Sequence, residues 1–315
     1  MPYLHRRKFL TQSTAFVAAT ATVAQSVANP ILAIDTHTHF YDPTRPQGVP
    51  WPPPQEKLLY QPYYPKQFRA LTAPLGVVGT VVVEASPWVE DNQWILDLAR
   101  DYDDIVAFIG NLNLSDVEFA ARLKRFSANP LFRGLRLGEK AIAEGLGQRA
   151  FESNLQRLGE RGLTLDVLGG ATMLQHIPLI VKLAPKLRVV IDHLPFAAWD
   201  NSPDAMRAAL APIAHLPRVY AKVSNVVRSK DGRVIEDLAV YRPALDVLWD
   251  LFGAERLIYG SNWPVSERVA PYASLHKIVA AYFSERGQAN AEKFFWRNSL
   301  RAYGWQRRGQ ARELK

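Results

Sequence analysis

Residues 150–168 read AFESNLQRLGERGLTLDVL, and residues 187–193 read LRVVIDH. The first stretch has apolar residues at helical spacing up to Arg161 and then a short apolar run, and the second stretch is another apolar, β-branched run. A periodic stretch of this kind is typical of an amphipathic helix, and the short apolar runs are typical of buried strands. Strands that alternate with helices along a chain indicate an α/β protein with a parallel sheet.

The same pattern recurs along the whole chain. Eight apolar runs predict strands, at Ile31–Thr36, Thr80–Ala85, Ile105–Asn111, Phe132–Leu137, Leu163–Leu168, Leu187–His193, Arg218–Ser224 and Arg256–Gly260. Amphipathic stretches between them predict helices, among them Gln93–Tyr102, Asp116–Ser127, Ala150–Arg161, Pro203–Ala214 and Tyr241–Phe252. Eight strand–helix units at this chain length predict a (β/α)8 TIM barrel. A doubly wound open sheet is the alternative.

The N-terminus has the composition of an export signal. Arg6 and Arg7 precede an apolar stretch from Thr14 to Ala28 that is rich in small residues. A charged segment, an apolar segment and small residues in this order indicate a signal peptide, and the arginine pair indicates the twin-arginine route. We therefore expect a signal peptide over residues 1–28, one barrel domain over residues 29–315, and a periplasmic or secreted protein. A basic N-terminal arm is the alternative.

The composition excludes several classes of function. The chain has no Cys among its 315 residues, which rules out disulfides, thiolate metal sites and a Cys nucleophile. Its formal net charge is +8, but the basic residues are spread along the sequence, so we expect no nucleic-acid partner. Beyond the signal, no stretch has the roughly 18 uninterrupted apolar residues of a membrane helix. The expected partner is a small-molecule substrate.

Three of the seven histidines follow predicted strands. His37 and His39 end the first strand, two residues apart, so they point to the same side, and His193 ends the sixth strand. The carboxyl ends of barrel strands meet at one face. Neutral imidazoles are good zinc ligands. We therefore predict that His37, His39 and His193 form a site for one divalent ion, most simply zinc, with a metal-free mechanism and structural histidines as the alternatives.

Beside these histidines, four further stretches resemble the amidohydrolase superfamily, and within it the amidohydrolase-related branch that includes sugar-lactone and pyrone-dicarboxylate lactonases. The stretches are Gly134-Leu135-Arg136, Asp192-His193-Leu194-Pro195, Ala221-Lys222-Val223-Ser224 and Tyr259-Gly260-Ser261-Asn262-Trp263-Pro264-Val265. The resemblance implies a (β/α)8 barrel and hydrolysis of a cyclic ester or a related bond. It also implies that the three histidines bind metal or polarise the scissile carbonyl, and that Arg136 meets a substrate carboxylate or hydroxyl.

Two departures from the family pattern affect the expected chemistry. The fourth and fifth strands lack the bridging Lys and the His of two-metal members, so we expect at most one ion. Asn262 stands where hydrolytic members carry an Asp, and a carboxamide cannot accept a proton at neutral pH.

Glu84 is the predicted replacement for the missing base. It closes an apolar strand, where a carboxylate is costly to bury without a partner. The alternative is that Glu84 is paired with an Arg or Lys at the rim. Asp166 is the weaker candidate for the base.

Three other side chains complete the predicted site. Lys222 is interpreted either as a polariser of the substrate carbonyl or as a structural counter-ion. Residues 41–64 include seven prolines, which predicts a stiff wall over the barrel mouth. We expect two tryptophans to contact substrate. They are Trp51, which lies in this wall, and Trp263.

These observations favour a hydrolase that opens a small cyclic ester. A metal-dependent decarboxylase on the same barrel and a non-catalytic periplasmic binding protein are the alternatives.

The export signal can be tested directly. Replacement of Arg6 and Arg7 by Lys should retain the protein in the cytoplasm, because the receptor reads the arginine pair. Cell fractionation followed by immunoblotting measures the distribution. An unchanged periplasmic yield would show that the twin-arginine assignment is wrong.

Overall fold

The computed structural model describes residues 31–194 and 202–314, so the expected signal peptide lies outside the described residues. Eight parallel strands form one sheet in which each strand is hydrogen-bonded to the next along the chain. The strands are β1 Ala33–Thr38, β2 Val77–Val83, β3 Ile105–Gly110, β4 Phe132–Gly138, β5 Thr164–Leu168, β6 Arg188–Leu194, β7 Val219–Val223 and β8 Leu257–Tyr259. The predicted (β/α)8 barrel is confirmed.

The helices cover the outside of the strands. They are α1 Pro65–Thr72, α2 Asp91–Asp101, α3 Phe119–Ser127, α4 Glu139–Gly145, α5 Arg149–Glu160, α6 Ala171–Leu174, α7 Ile177–Leu183, α8 Pro203–Ala214, α9 Leu238–Phe252, α10 Tyr272–Ser284, α11 Gln288–Glu292 and α12 Asn298–Tyr303. A short antiparallel hairpin, Ser229–Lys230 with Arg233–Val234, follows β7. A short 3₁₀ turn, Val265–Arg268, follows β8.

Local hydrogen bonds determine where two of the predicted helices begin. Helix α8 has the predicted bounds, because the Ser202 side chain accepts a hydrogen bond from the Ala205 amide and Pro203 occupies the first turn. Helix α3 begins at Phe119, later than predicted. The Asp116 carboxylate accepts a hydrogen bond from the Glu118 amide at 2.8 Å, and this local turn competes with the first helical turn.

The barrel closes between β1 and β8 through a few specific hydrogen bonds. The His39 amide donates to the Trp263 carbonyl and the Asn262 amide donates to the His37 carbonyl, both at 2.8 Å. The buried Asp35 carboxylate accepts from the Ser261 amide at 2.9 Å and from the Tyr272 hydroxyl at 3.0 Å. Burial raises the pKa of Asp35 to about 6. Asp35, which no sequence pattern assigned, therefore ties the first strand to the last.

Two strand boundaries differ from the sequence prediction in a way that affects the site. Strand β1 continues to Thr38, because Thr38 pairs with Val82 on one side and Trp263 on the other. Strand β2 ends at Val83, so Glu84 lies just beyond its carboxyl end. Within residues 31–194 and 202–314, no helix has the length and apolar character needed to cross a membrane.

A buried histidine far from the barrel mouth gives a test of the core. The His276 ring lies 5.7 Å from the Tyr259 ring and 5.5 Å from the Phe295 ring, and burial lowers its pKa to about 4 from 6.5. The unfolded chain therefore binds a proton first as the pH falls. The stability that neutral His276 contributes is complete above about pH 6.5 and is lost as the pH falls towards 4.

Replacement of His276 by Phe should reduce the loss of unfolding free energy between pH 6.5 and 4 by about 3 kcal/mol. Urea denaturation at several pH values measures this slope. The exposed His215, changed to Gln, is the control and should leave the slope unchanged. Equal slopes for the wild type and the His276 variant would contradict the prediction.

Candidate active site

Three histidines meet at the carboxyl ends of the barrel strands. The His37 ring centroid lies 4.9 Å from that of His39 and 4.4 Å from that of His193. All three side chains are buried, with His193 the most exposed at 7 %. The structure thus places the three predicted residues in one cluster.

Polar contacts with the protein fix the Nδ1 atoms of two of the three histidines. Nδ1 of His39 lies 2.9 Å from the Val83 carbonyl, and Nδ1 of His193 lies 2.9 Å from the Ser224 hydroxyl. Nε2 of His37 is buried and has no hydrogen-bond partner among the described residues. Histidines that bind metal are usually held in this way through their second ring nitrogen.

Burial keeps the three imidazoles neutral. It lowers the pKa of His39 to about 3 and that of His193 to about 4, and it holds the pKa of His37 well below 6.5. The Arg136 guanidinium lowers the pKa of His39 and His193 further. The neutral imidazole is the form that binds a metal ion.

A buried ion cluster lies beneath His37. The Lys222 ammonium donates to Asp166 Oδ2 at 2.7 Å, lies 2.7 Å from Asp192 Oδ1, and contacts His37 Nδ1 at 3.2 Å. Burial alone would lower the pKa of Lys222, but the two carboxylates outweigh it and the pKa is raised. Burial raises the pKa of Asp166 to about 7. Lys222 is fully enclosed by these partners, which supports the counter-ion interpretation over the carbonyl polariser.

Asp192 is a site residue that the sequence analysis did not assign. Consecutive residues of a regular strand point to opposite faces, yet Asp192 and His193 both join the cluster. The β6–β7 register shifts between Ile191 and Leu194, and His193 has φ +61°. This irregularity turns both side chains towards the cluster. The only sequence signal for the position of Asp192 is that it is adjacent to His193.

Asp192 lies behind the cluster. Of the described residues, His37, Asp192 and His193 have donor atoms within 4.8 Å of one another, as a metal site requires. Asp192 Oδ1 is 3.5 Å from His37 Nδ1, where the Lys222 ammonium already lies. A second cation would be repelled there. The atom through which His37 could bind a metal ion is therefore Nε2, and Asp192 orients the ring.

Asn262 occupies the end of β8 with φ +65°. Its Oδ1 lies 3.1 Å from His39 Nε2, and its Nδ2 donates to Asn225 Oδ1 at 2.8 Å. Both ring nitrogens of His39 thus have protein partners. A metal ion bound by His39 would displace the Asn262 contact, so the three-histidine ligand set remains a prediction.

Glu84 pairs with Arg136 at the barrel mouth. Arg136 Nε donates to Glu84 Oε1 at 2.9 Å, and Arg136 Nη2 donates to the Glu84 carbonyl at 2.6 Å. The side chains of Glu84 and Arg136 are 17 % and 13 % exposed. This ion pair is the alternative that the sequence left open for Glu84. The role of Glu84 as general base stays a prediction.

The two tryptophans differ in position. The Trp51 ring lies 6.2 Å from the His39 ring and lines a pocket together with Glu84. The Trp263 ring is 1 % exposed and packs against aromatic rings, and its Nε1 donates to Glu267 at 2.9 Å. Those rings belong to Phe40, Tyr63 and Phe68. These contacts give Trp263 a packing role behind the site, and its expected substrate contact stays a prediction.

Comparison with known proteins finds a protein-family model that matches most of the chain, and proteins of similar sequence. Residues 34–305 match a protein-family model described as Amidohydrolase. An L-fucono-1,5-lactonase of Burkholderia ambifaria is 31 % identical over 241 residues, which cover 74 % of this chain and 80 % of the relative. An L-fucono-1,5-lactonase of Burkholderia multivorans is 27 % identical and covers 84 % of this chain and 93 % of its own length.

A solved structure has the same fold. The crystal structure of an amidohydrolase from Burkholderia multivorans with bound zinc superposes with a TM-score of 0.77 at 26 % identity. The match covers 87 % of this chain and 99 % of that protein.

The ion cluster predicts a large effect of one substitution. Lys222→Met would leave Asp166 and Asp192 buried without their counter-ion, and removing one partner of a buried ion pair typically costs about 3–5 kcal/mol. Denaturant titration measures the unfolding free energy. Lys277→Met, which breaks an exposed pair with Glu236, is the control and should change it by less than about 1 kcal/mol. Similar small effects of both substitutions would contradict the proposed counter-ion role.

Proposed function

The chain belongs to the amidohydrolase family, and from this premise we propose that it opens the ring ester of a sugar-acid lactone. Two relatives are named L-fucono-1,5-lactonases, which supports this substrate class. The observation that carries the proposal is the cluster of three neutral imidazoles at the barrel mouth, one of which has an Nε2 without a partner among the described residues.

The residues present fit one divalent ion. His37 Nε2 is buried and has no hydrogen-bond partner among the described residues, and the His193 ring is fixed through Nδ1. We propose His37 and His193 as ligands, with His39 as the third once Asn262 releases it. Zinc suits such a set, and the related crystal structure contains zinc. A bound ion of this kind polarises a carbonyl and lowers the pKa of water.

The chain's own residues supply orientation and a dry environment. Water adds to the lactone carbonyl carbon, the ring carbon–oxygen bond breaks, and the ring oxygen takes up a proton to give the hydroxy acid. Lys222 and Asp192 hold His37 in place from below. Asn262 holds His39 but cannot accept the proton of the attacking water. The sequence predicts Glu84 as the acceptor of this proton, whereas its ion pair with Arg136 favours a role in substrate binding.

The proline-rich segment 41–64 forms one wall of the site. Arg45 in this segment pairs with Asp91 at 2.9 Å, and Glu56 pairs with Arg268 on the opposite side. Two ion pairs thus connect the wall to other parts of the barrel. Trp51 in the wall presents its ring to the histidines and can cover the apolar face of a sugar ring.

We also propose that the enzyme works in the periplasm. The support is the arginine pair Arg6-Arg7 and the apolar stretch that follows it.

Substitution of His37 tests the proposed chemistry. His37→Ala should lower kcat for L-fucono-1,5-lactone by about 10²–10⁴-fold, the usual contribution of a positioned catalytic group, and should reduce the bound metal content. A pH-stat records the acid released by ring opening, and elemental analysis gives the metal. His215→Ala, at an exposed position, is the control. Full activity in the His37 variant would contradict the proposed site.

A further inference from the structure

We propose that Glu84 is a specificity-determining residue, because it neutralises Arg136 and so selects uncharged, hydroxylated lactones over lactones that carry a carboxylate. This inference rests on the proposed lactonase function. It assigns to the Glu84–Arg136 pair a role distinct from acid–base catalysis.

The geometry of the pair shows why Arg136 is a poor receptor for an anion. Its Nε and Nη2 groups are engaged by one residue, through the Glu84 carboxylate at 2.9 Å and the Glu84 backbone carbonyl at 2.6 Å. A bidentate carboxylate complex needs two free parallel N–H groups. While Glu84 is ionised and in place, the Nε–Nη2 side of Arg136 is occupied and the charge of the guanidinium is neutralised.

The pair nevertheless lies beside the reacting groups. Arg136 is close enough to lower the pKa of both His39 and His193. Glu84 lines a pocket that it shares with Trp51, whose ring faces His39. A substituent on a lactone bound at the histidines would reach this pair.

The other cations on the described pocket walls are also neutralised. Arg45 lines the same pocket as Glu84 and pairs with Asp91. Arg268 lines a second pocket, next to Asn225, and pairs with Glu56. In these two described pockets, a substrate carboxylate would thus meet no cation that lacks a counter-ion.

A hydroxyl group suits the pair, whereas a carboxylate does not. A hydroxyl both donates and accepts hydrogen bonds, so it can donate to Glu84 and accept from Arg136. A carboxylate only accepts and would lie close to the Glu84 charge. Two like charges about 4 Å apart near a protein surface weaken binding by roughly 5- to 1000-fold, depending on the local dielectric.

The test compares an aldono-1,4-lactone with the aldaro-1,4-lactone of the same stereochemistry, which differ in a hydroxymethyl group against a carboxylate. For Glu84→Gln, we expect kcat/KM to fall on the neutral lactone by about 10-fold, because one hydrogen-bond acceptor weakens. We expect kcat/KM to rise at least 10-fold on the carboxylated lactone, through a lower KM. The matched control is Asp250→Asn, which removes an equal charge from an exposed ion pair with Arg207, between helices α8 and α9, and should leave the ratio unchanged.

The outcomes separate the two roles of Glu84. A fall in kcat of about 10²–10⁴-fold on both lactones would identify a general base and would overturn the proposal. A wild-type preference for the carboxylated lactone, or the same change of ratio in Asp250→Asn, would also overturn it.

A binding measurement covers the case in which neither lactone is hydrolysed, which would refute the proposed function alone. Isothermal titration calorimetry with the aldarate dianion needs no turnover. Affinity at least 10-fold higher in Glu84→Gln than in the wild type would support the proposal, and equal affinity would overturn it.

Discussion

The Lys222 ammonium is buried inside the barrel with two carboxylates at 2.7 Å, one from β5 and one from β6, and it touches His37 on β1. Burying an isolated charge is far more costly than burying a paired one, so these four strands must be placed so that the charged groups remain in contact. The Tyr303 hydroxyl adds a hydrogen bond to Asp166 at 2.9 Å and extends the constraint to the C-terminal helix. The position of His37 at the barrel mouth follows from this cluster.

The site is layered by charge. The ionised groups Lys222 and Asp192 lie deepest, and the neutral imidazoles lie above them. Desolvation penalises every charged form, but Lys222 keeps its proton because two carboxylates surround it. Among the described residues, no carboxylate contributes to the pKa shift of His39, so burial keeps this imidazole neutral. One buried environment therefore produces both a fixed cation and a set of neutral imidazoles.

Irregular backbone at the strand ends directs the side chains into the mouth. His193, Asn225 and Asn262 all have positive φ, at 61°, 54° and 65°. Such conformations cost about 1 kcal/mol or more for residues with a side chain, although Asn tolerates them better than most. Hydrogen bonds from the Asn262 amide to the His37 carbonyl and from Asn262 Nδ2 to Asn225 help to hold them. The strain is concentrated where three side chains must converge.

The amino-acid sequence by itself determined the barrel and the position of the histidines on it. Alternating apolar runs and helical periodicity record which residues are buried, and a residue at the end of a parallel strand lies at one known face. Only the tertiary structure decided the partners. Glu84 and Arg136 are 52 positions apart, and Lys222 and Asp166 are 56 apart, so no local pattern reports their contact. The inward turn of Asp192 and the burial of Trp263 likewise depend on a register shift and on aromatic neighbours from other segments. The periodicity of the sequence reports which residues are buried. Which charged residues form ion pairs depends on where the fold places distant strands.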